Sequence, residues 1–281
     1  MNFATIGIAL LSAAAFSTPA AAQAPAAPEL RNPKLSIDYV EPRSREYQDL
    51  YERLKKRHVL EELAQFLSPL KLPLSLRLKF AECGMINADY DPLDLRIRIC
   101  YEWVDFMESR APRTTMPVAG IISREDAIIG STVSVILHEM GHALFDILQV
   151  PVLGKEEDAA DQIAGFIMLQ FGKDVARATI NGTAFTWATL ANTEQKPAFY
   201  DVHSTAEQRI YNFTCIAYGG DPDTFKDYID KGLLPRSRAA NCKSEYEQVQ
   251  RAFGKTILPY VDLDMMKQVQ SRSWLRPTDG K

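Results

Sequence analysis

The chain has 281 residues, 46% of them hydrophobic, which is enough for one sizeable domain or two small ones. A net charge of −4 at pH 7 gives no electrostatic reason to expect a nucleic-acid partner. Four cysteines with no CxxC pair argue against a cysteine-built zinc site.

Residues 1–22 hold an apolar run, Ile6 to Phe16, and close on Ala20-x-Ala22, small residues suited to a cleavage point before Gln23. This reads as a secretory signal. The run is too short to span a bilayer, and no later stretch reaches about 18 uninterrupted apolar residues. The expectation is a secreted or periplasmic chain with no stable membrane insertion after cleavage. Residues 23–40 are read as an Ala/Pro-rich linker and residues 41–281 as a single domain. In an oxidising compartment an even cysteine count favours two bridges. Cys83 with Cys100 and Cys215 with Cys242 close the shorter loops and are the expected pairs.

From Pro42 to Phe66, apolar residues recur at helical spacing, a covering helix or helix pair in which His58 is a surface or cap residue. Leu74 to Ala81 and Leu95 to Tyr101 alternate as half-buried strands, joined by a turn-rich link from Cys83 to Pro92. The second strand is a candidate exposed edge for a substrate backbone to join. Tyr101 to Arg110 starts a helix, and Ala111 to Gly120 is a Pro-containing loop. Ser123 with Asp126 predicts the start of a long helix to about Leu148. A further helix runs from about Lys155 to Phe171, closed by Gly172. Glu194 to Tyr200 is a polar loop, and Ser204 to Glu207 reads as a capping box opening a helix to about Tyr218. Two more amphipathic helices and a polar tail follow Asp221.

The long helix carries His138-Glu139-Met140-Gly141-His142. At 3.6 residues per turn both imidazoles leave one face and can share a metal ion, with Glu139 beside them to take a proton from water. Two unpaired histidines and a glutamate inside so apolar a helix would be costly to bury. Zn²⁺ held by neutral imidazoles satisfies them. The next helix opens with Glu156-Glu157-Asp158-Ala-Ala-Asp161. These acids suit a helix N-terminus, and one of them can be the third ligand. Glu157 shares a face with Ala160, Asp161 and Ala164, so it is preferred to Glu156 and Asp158. Asp161, one turn on, can accept the other N–H of a ligating histidine. His203, on the loop before a helix, is either an active-site group or an exposed loop residue. Arg209 or Tyr211 can donate to an oxyanion, but Arg209 is the more readily read as a surface salt-bridge partner. Asn212-Phe-Thr214 matches a glycosylation sequon.

The pentad followed by Glu157-Asp-Ala-Ala-Asp161 resembles the gluzincin metallopeptidases. With His203-Ser, Gln208-Arg-x-Tyr-Asn212 and the Cys83 to Cys100 segment, the chain after about residue 40 looks like a bacterial metallopeptidase family of unknown function. The resemblance implies a mostly helical α+β, zincin-like domain with a small sheet. It implies zinc on His138, His142 and Glu157, Glu139 as general base, Asp161 orienting a ligand histidine, and His203 steadying the tetrahedral intermediate. The expected activity is exported zinc-dependent hydrolysis of a peptide or protein. The alternative is a non-catalytic zinc-binding or interaction domain. Substrate and oligomeric state stay open.

Overall fold

The computed structural model describes residues 31–113, 122–192, 200–272 and 274. The secretory signal, residues 23–30 of the linker, and parts of the loops read at 111–120 and 194–200 lie outside the described residues.

In chain order the elements are β1 (Leu35–Tyr39), α1 (Gln48–Lys56), α2 (Val59–Phe66), β2 (Leu76–Ala81), β3 (Ala88–Asp91), β4 (Arg96–Cys100) and α3 (Tyr101–Arg110). Then come α4 (Arg124–Ile147), α5 (Glu156–Met168), α6 (Lys173–Ala191), α7 (Ala206–Gly220), two short helices α8 (Pro222–Phe225) and α9 (Asp227–Asp230), α10 (Arg236–Thr256) and α11 (Leu263–Gln270). The architecture is mostly helical α+β, as the sequence led us to expect.

The strands form one sheet in the order β1-β2-β4-β3. β1, β2 and β4 run parallel, and β3 pairs antiparallel with β4. Alternation turns Leu76, Leu78, Phe80, Ile97 and Ile99 into the core and leaves Arg96 and Arg98 on the other face. Those arginines face the acids of β3 across the register, Arg98 with Asp89 at 2.8 Å and Arg96 with Asp91 at 2.9 Å. Two expectations are corrected here. The strand at 96–100 is interior rather than an exposed edge. The edge strand beside it is β3, inside the stretch read as a link, whose Ala-Asp-Tyr-Asp sequence has poor strand propensity until those arginines face it. The sheet also begins earlier than the expected linker boundary, since β1 lies within residues 23–40.

The helix pair at 48–66 is as read, with His58 the exposed N-cap of α2 in a left-handed conformation (φ 53°). Cys83 is bridged to Cys100, tying the ends of β2 and β4, and Cys215 to Cys242, tying α7 to α10.

α4 is the central element. Ser123 caps it by accepting the Asp126 N–H at 3.0 Å, and α3, α5, α6 and β3 pack round it. By length and composition it is apolar enough to cross a membrane, yet 78% of its most apolar stretch is buried inside the protein. Two glycines set how closely its neighbours come. A Cβ on Gly130 would stand 2.7 Å from the Gly182 Cα of α6, and one on Gly141 would stand 2.9 Å from the Ala160 Cα of α5. The second contact lies inside the histidine pentad and brings α5 against it.

Candidate metal centre

α4 and α5 meet at an open cleft of about 1190 Å³ whose facing wall is β3 and whose rim includes residues 200–203. On its floor, His138 and His142 present their Nε2 atoms 3.2 Å apart. Glu157 Oε2 lies 3.0 Å from the first and 3.4 Å from the second. Donors placed on a tetrahedral zinc ion at its usual bond lengths are separated by about 3.3 Å. The three side chains therefore have the spacing of a shared cation.

The outer face of each ring is also fixed. His138 Nδ1 is 2.8 Å from Asp161 Oδ1, and His142 Nδ1 is 2.7 Å from Glu156 Oε1. With a carboxylate on each Nδ1, the ring protons sit there and both Nε2 lone pairs point inward with the Glu157 oxygen. Three inward-facing acceptors need a positive charge among them, so the residues present fit a divalent cation.

Without that cation, protons take its place. Burial opposes the charged form of His142, and hydrogen bonds to Glu157 and Glu156 outweigh it, pushing the imidazole up to about 9. Burial and then Arg209 oppose charging of His138, while its bonds to Asp161 and Glu157 raise it. Burial also opposes ionisation of Glu157, but the three histidines around it hold its carboxyl far below the ordinary range. Glu139 is 9% exposed and its pKa is raised by that burial, with His138, His142 and the Tyr90 backbone amide pulling the other way.

His203 stays on an exposed loop, with 45% of its side chain accessible, and reaches Glu157 from there. Its Nε2 is 2.9 Å from Glu157 Oε2, and Asp201 Oδ1 holds its Nδ1 at 2.9 Å. The bond to Glu157 raises its pKa above the usual value. The cap of α7 is Thr205 with Gln208, one residue later than read. Ser204 instead donates its hydroxyl to Asp158 at 2.6 Å, fastening the His203 loop to α5.

The surface expectation for Arg209 is overturned. It is 5% exposed, its guanidinium forks onto both oxygens of Asp161, and its plane lies 3.5 Å from the Trp187 ring centroid on α6. Asp161 is thus clamped between an arginine and the His138 imidazole. Tyr211, also on α7, is 41% exposed to solvent. Sequence reasoning missed Trp187, the Glu156 contact to His142, and Asp146, whose carboxylate accepts the Tyr90 hydroxyl at 2.7 Å in the cleft. The signal for Asp146 was available, since it stands one helical turn beyond His142.

The family DUF4344, described as "Putative metallopeptidase", matches residues 39–257. No curated protein and no solved structure matches the chain.

Proposed function

The chain belongs to the DUF4344 family of putative metallopeptidases, and from that premise we propose that it is an exported, zinc-dependent peptide hydrolase. The observation that carries the reading is the convergence of His138 Nε2, His142 Nε2 and Glu157 Oε2 in a cleft that also contains Glu139. Two imidazoles and a carboxylate are a donor set suited to Zn²⁺. Export is supported by the two disulfides and by the signal-like sequence of residues 1–22. The elements from β1 to α11 then act as one domain.

When bound, the metal supplies Lewis acidity that polarises the scissile carbonyl and makes water more acidic. Glu139, next to the His138 ligand in the same cleft, takes the proton from water and delivers it to the leaving amine. His203, oriented by Asp201, donates to the developing oxyanion. Asp161, held by Arg209, keeps the His138 Nδ1 proton in place so that Nε2 remains a donor atom. The substrate backbone lies along β3, whose Tyr90 amide faces the cleft, in place of the strand first considered for this role.

Glu139→Gln should retain one equivalent of zinc and lose hydrolysis of a proteome-derived peptide library. Undiminished turnover in that variant refutes the mechanism. Zinc bound at one equivalent by the unaltered chain, with no peptide hydrolysed, favours the binding-domain reading instead.

A further inference from the structure

One helical turn past His142, α4 presents Phe145 and Asp146 to the cleft. The other carboxylates lining it have partners from within the chain. Asp89 has Arg98, Glu156 has His142, Asp201 has His203, Glu157 lies among three imidazoles, and Glu139 has the Tyr90 backbone amide with His138 and His142 close by. Asp146 differs: it accepts the Tyr90 hydroxyl, and among the described residues no lysine or arginine pairs with it. Lys155, on the cleft wall, points its Nζ at the Asp201 carbonyl, 3.2 Å away. Beside the carboxylate the wall is apolar. The Val150 N–H bonds back to the Phe145 carbonyl at 2.9 Å, seating Val150 against the end of α4, and Val152 follows in the same cleft.

An anionic group with an apolar wall next to it fits a side chain that has an aliphatic stem and a cationic head. We propose that Asp146 and Tyr90 form a subsite for a lysine or arginine side chain flanking the scissile bond, with the stem lying on Val150 and Val152. This rests on the peptidase reading and narrows it to substrates basic at that position. A free N-terminal amine is the other cation a peptide offers, but it brings no stem to cover the valines.

The test uses the full, zinc-loaded chain and N-acetylated peptides in matched pairs, with lysine or norleucine at each position around the cleaved bond. At one position kcat/KM should favour lysine by about tenfold, and Asp146→Asn should bring that ratio close to one. Asn keeps the shape and can still accept the Tyr90 hydroxyl, so the variant is suited to fold; if it does not, the unaltered chain's ratio decides. No lysine preference, a preference that survives Asp146→Asn, or a strict need for a free N-terminus overturns the subsite. If nothing is cleaved, the same peptides are titrated calorimetrically into zinc-loaded Glu139→Gln. Tighter lysine binding there keeps the subsite while the peptidase reading falls, and equal binding ends the subsite.

Discussion

Gly141→Ala tests whether the closeness of α4 and α5 builds the metal centre. The added Cβ would meet the Ala160 Cα at 2.9 Å, its Cβ at 3.1 Å and its carbonyl oxygen at 3.3 Å. Carbon atoms rest about 3.5–4.0 Å apart, so α5 must retreat by roughly 0.6–1 Å. Ala160 stands between Glu157 and Asp161 in the sequence, so the retreat pulls both from the histidines they serve. Overpacking of this kind costs about 1–3 kcal/mol, while alanine in place of a helical glycine returns up to about 1 kcal/mol. Stability should therefore fall modestly. Metal affinity has no such offset and should drop about 10- to 100-fold. Zinc competition against a chromophoric chelator reads the affinity, and urea unfolding of the metal-free protein reads the stability. Adding Ala160→Gly should restore part of both. Zinc affinity unchanged in Gly141→Ala would refute the reasoning, because the helices would then have been shown to tolerate the methyl without moving the donors.

Three other outcomes are expected. Arg209→Met leaves Asp161 buried with one partner fewer; it should cost about 3–5 kcal/mol in urea unfolding and weaken zinc binding, and Arg209→Lys should recover little because it lacks the fork. In chelator-treated protein, His142 has its pKa raised from 6.5 to about 9 by folding, so its contribution to stability is complete below about pH 6.5 and is lost as pH climbs through about 9. Melting temperature should fall across that window without metal, whereas zinc affinity should rise with pH because the ligands must shed protons; a flat metal-free profile refutes the first half. Replacing Cys215 and Cys242 by serine opens a loop with sequence separation 27 and should cost about 3.5 kcal/mol in thermal or urea unfolding, with no change in zinc stoichiometry.

Much of the scaffold was legible because local signals agreed with the fold. The capped, apolar stretch after Ser123 became α4, the acidic opening of α5 sits at a helix N-terminus, and strict alternation marked β2 and β4. Ala160, on the face assigned to Glu157, is where α5 meets Gly141 of α4. What was obscured was obscured by polar groups that are buried, some satisfied within their own helix and others by partners distant in sequence. α6 was not recognised because its buried face includes Thr179, Thr183 and Thr186, whose hydroxyls are satisfied by carbonyls of Val175, Thr179 and Gly182 within the same helix. β3 depends on Arg96 and Arg98. Arg209 looked solvated because its partners, Asp161 and Trp187, lie on two other helices. No periodicity in one segment reveals such a pairing.

Four successive acids on α5 face four different duties. Glu156 steadies one imidazole from outside, Glu157 faces both from inside, Asp158 fastens Ser204 and Asp161 joins the other imidazole to Arg209. Any tilt or slide of this one rod is therefore felt at once by the cation's cradle and by the segment bearing His203. Loading of the ion and readiness of the substrate side should accordingly rise and fall as a single event, and a ligand gripping either end ought to tighten the other.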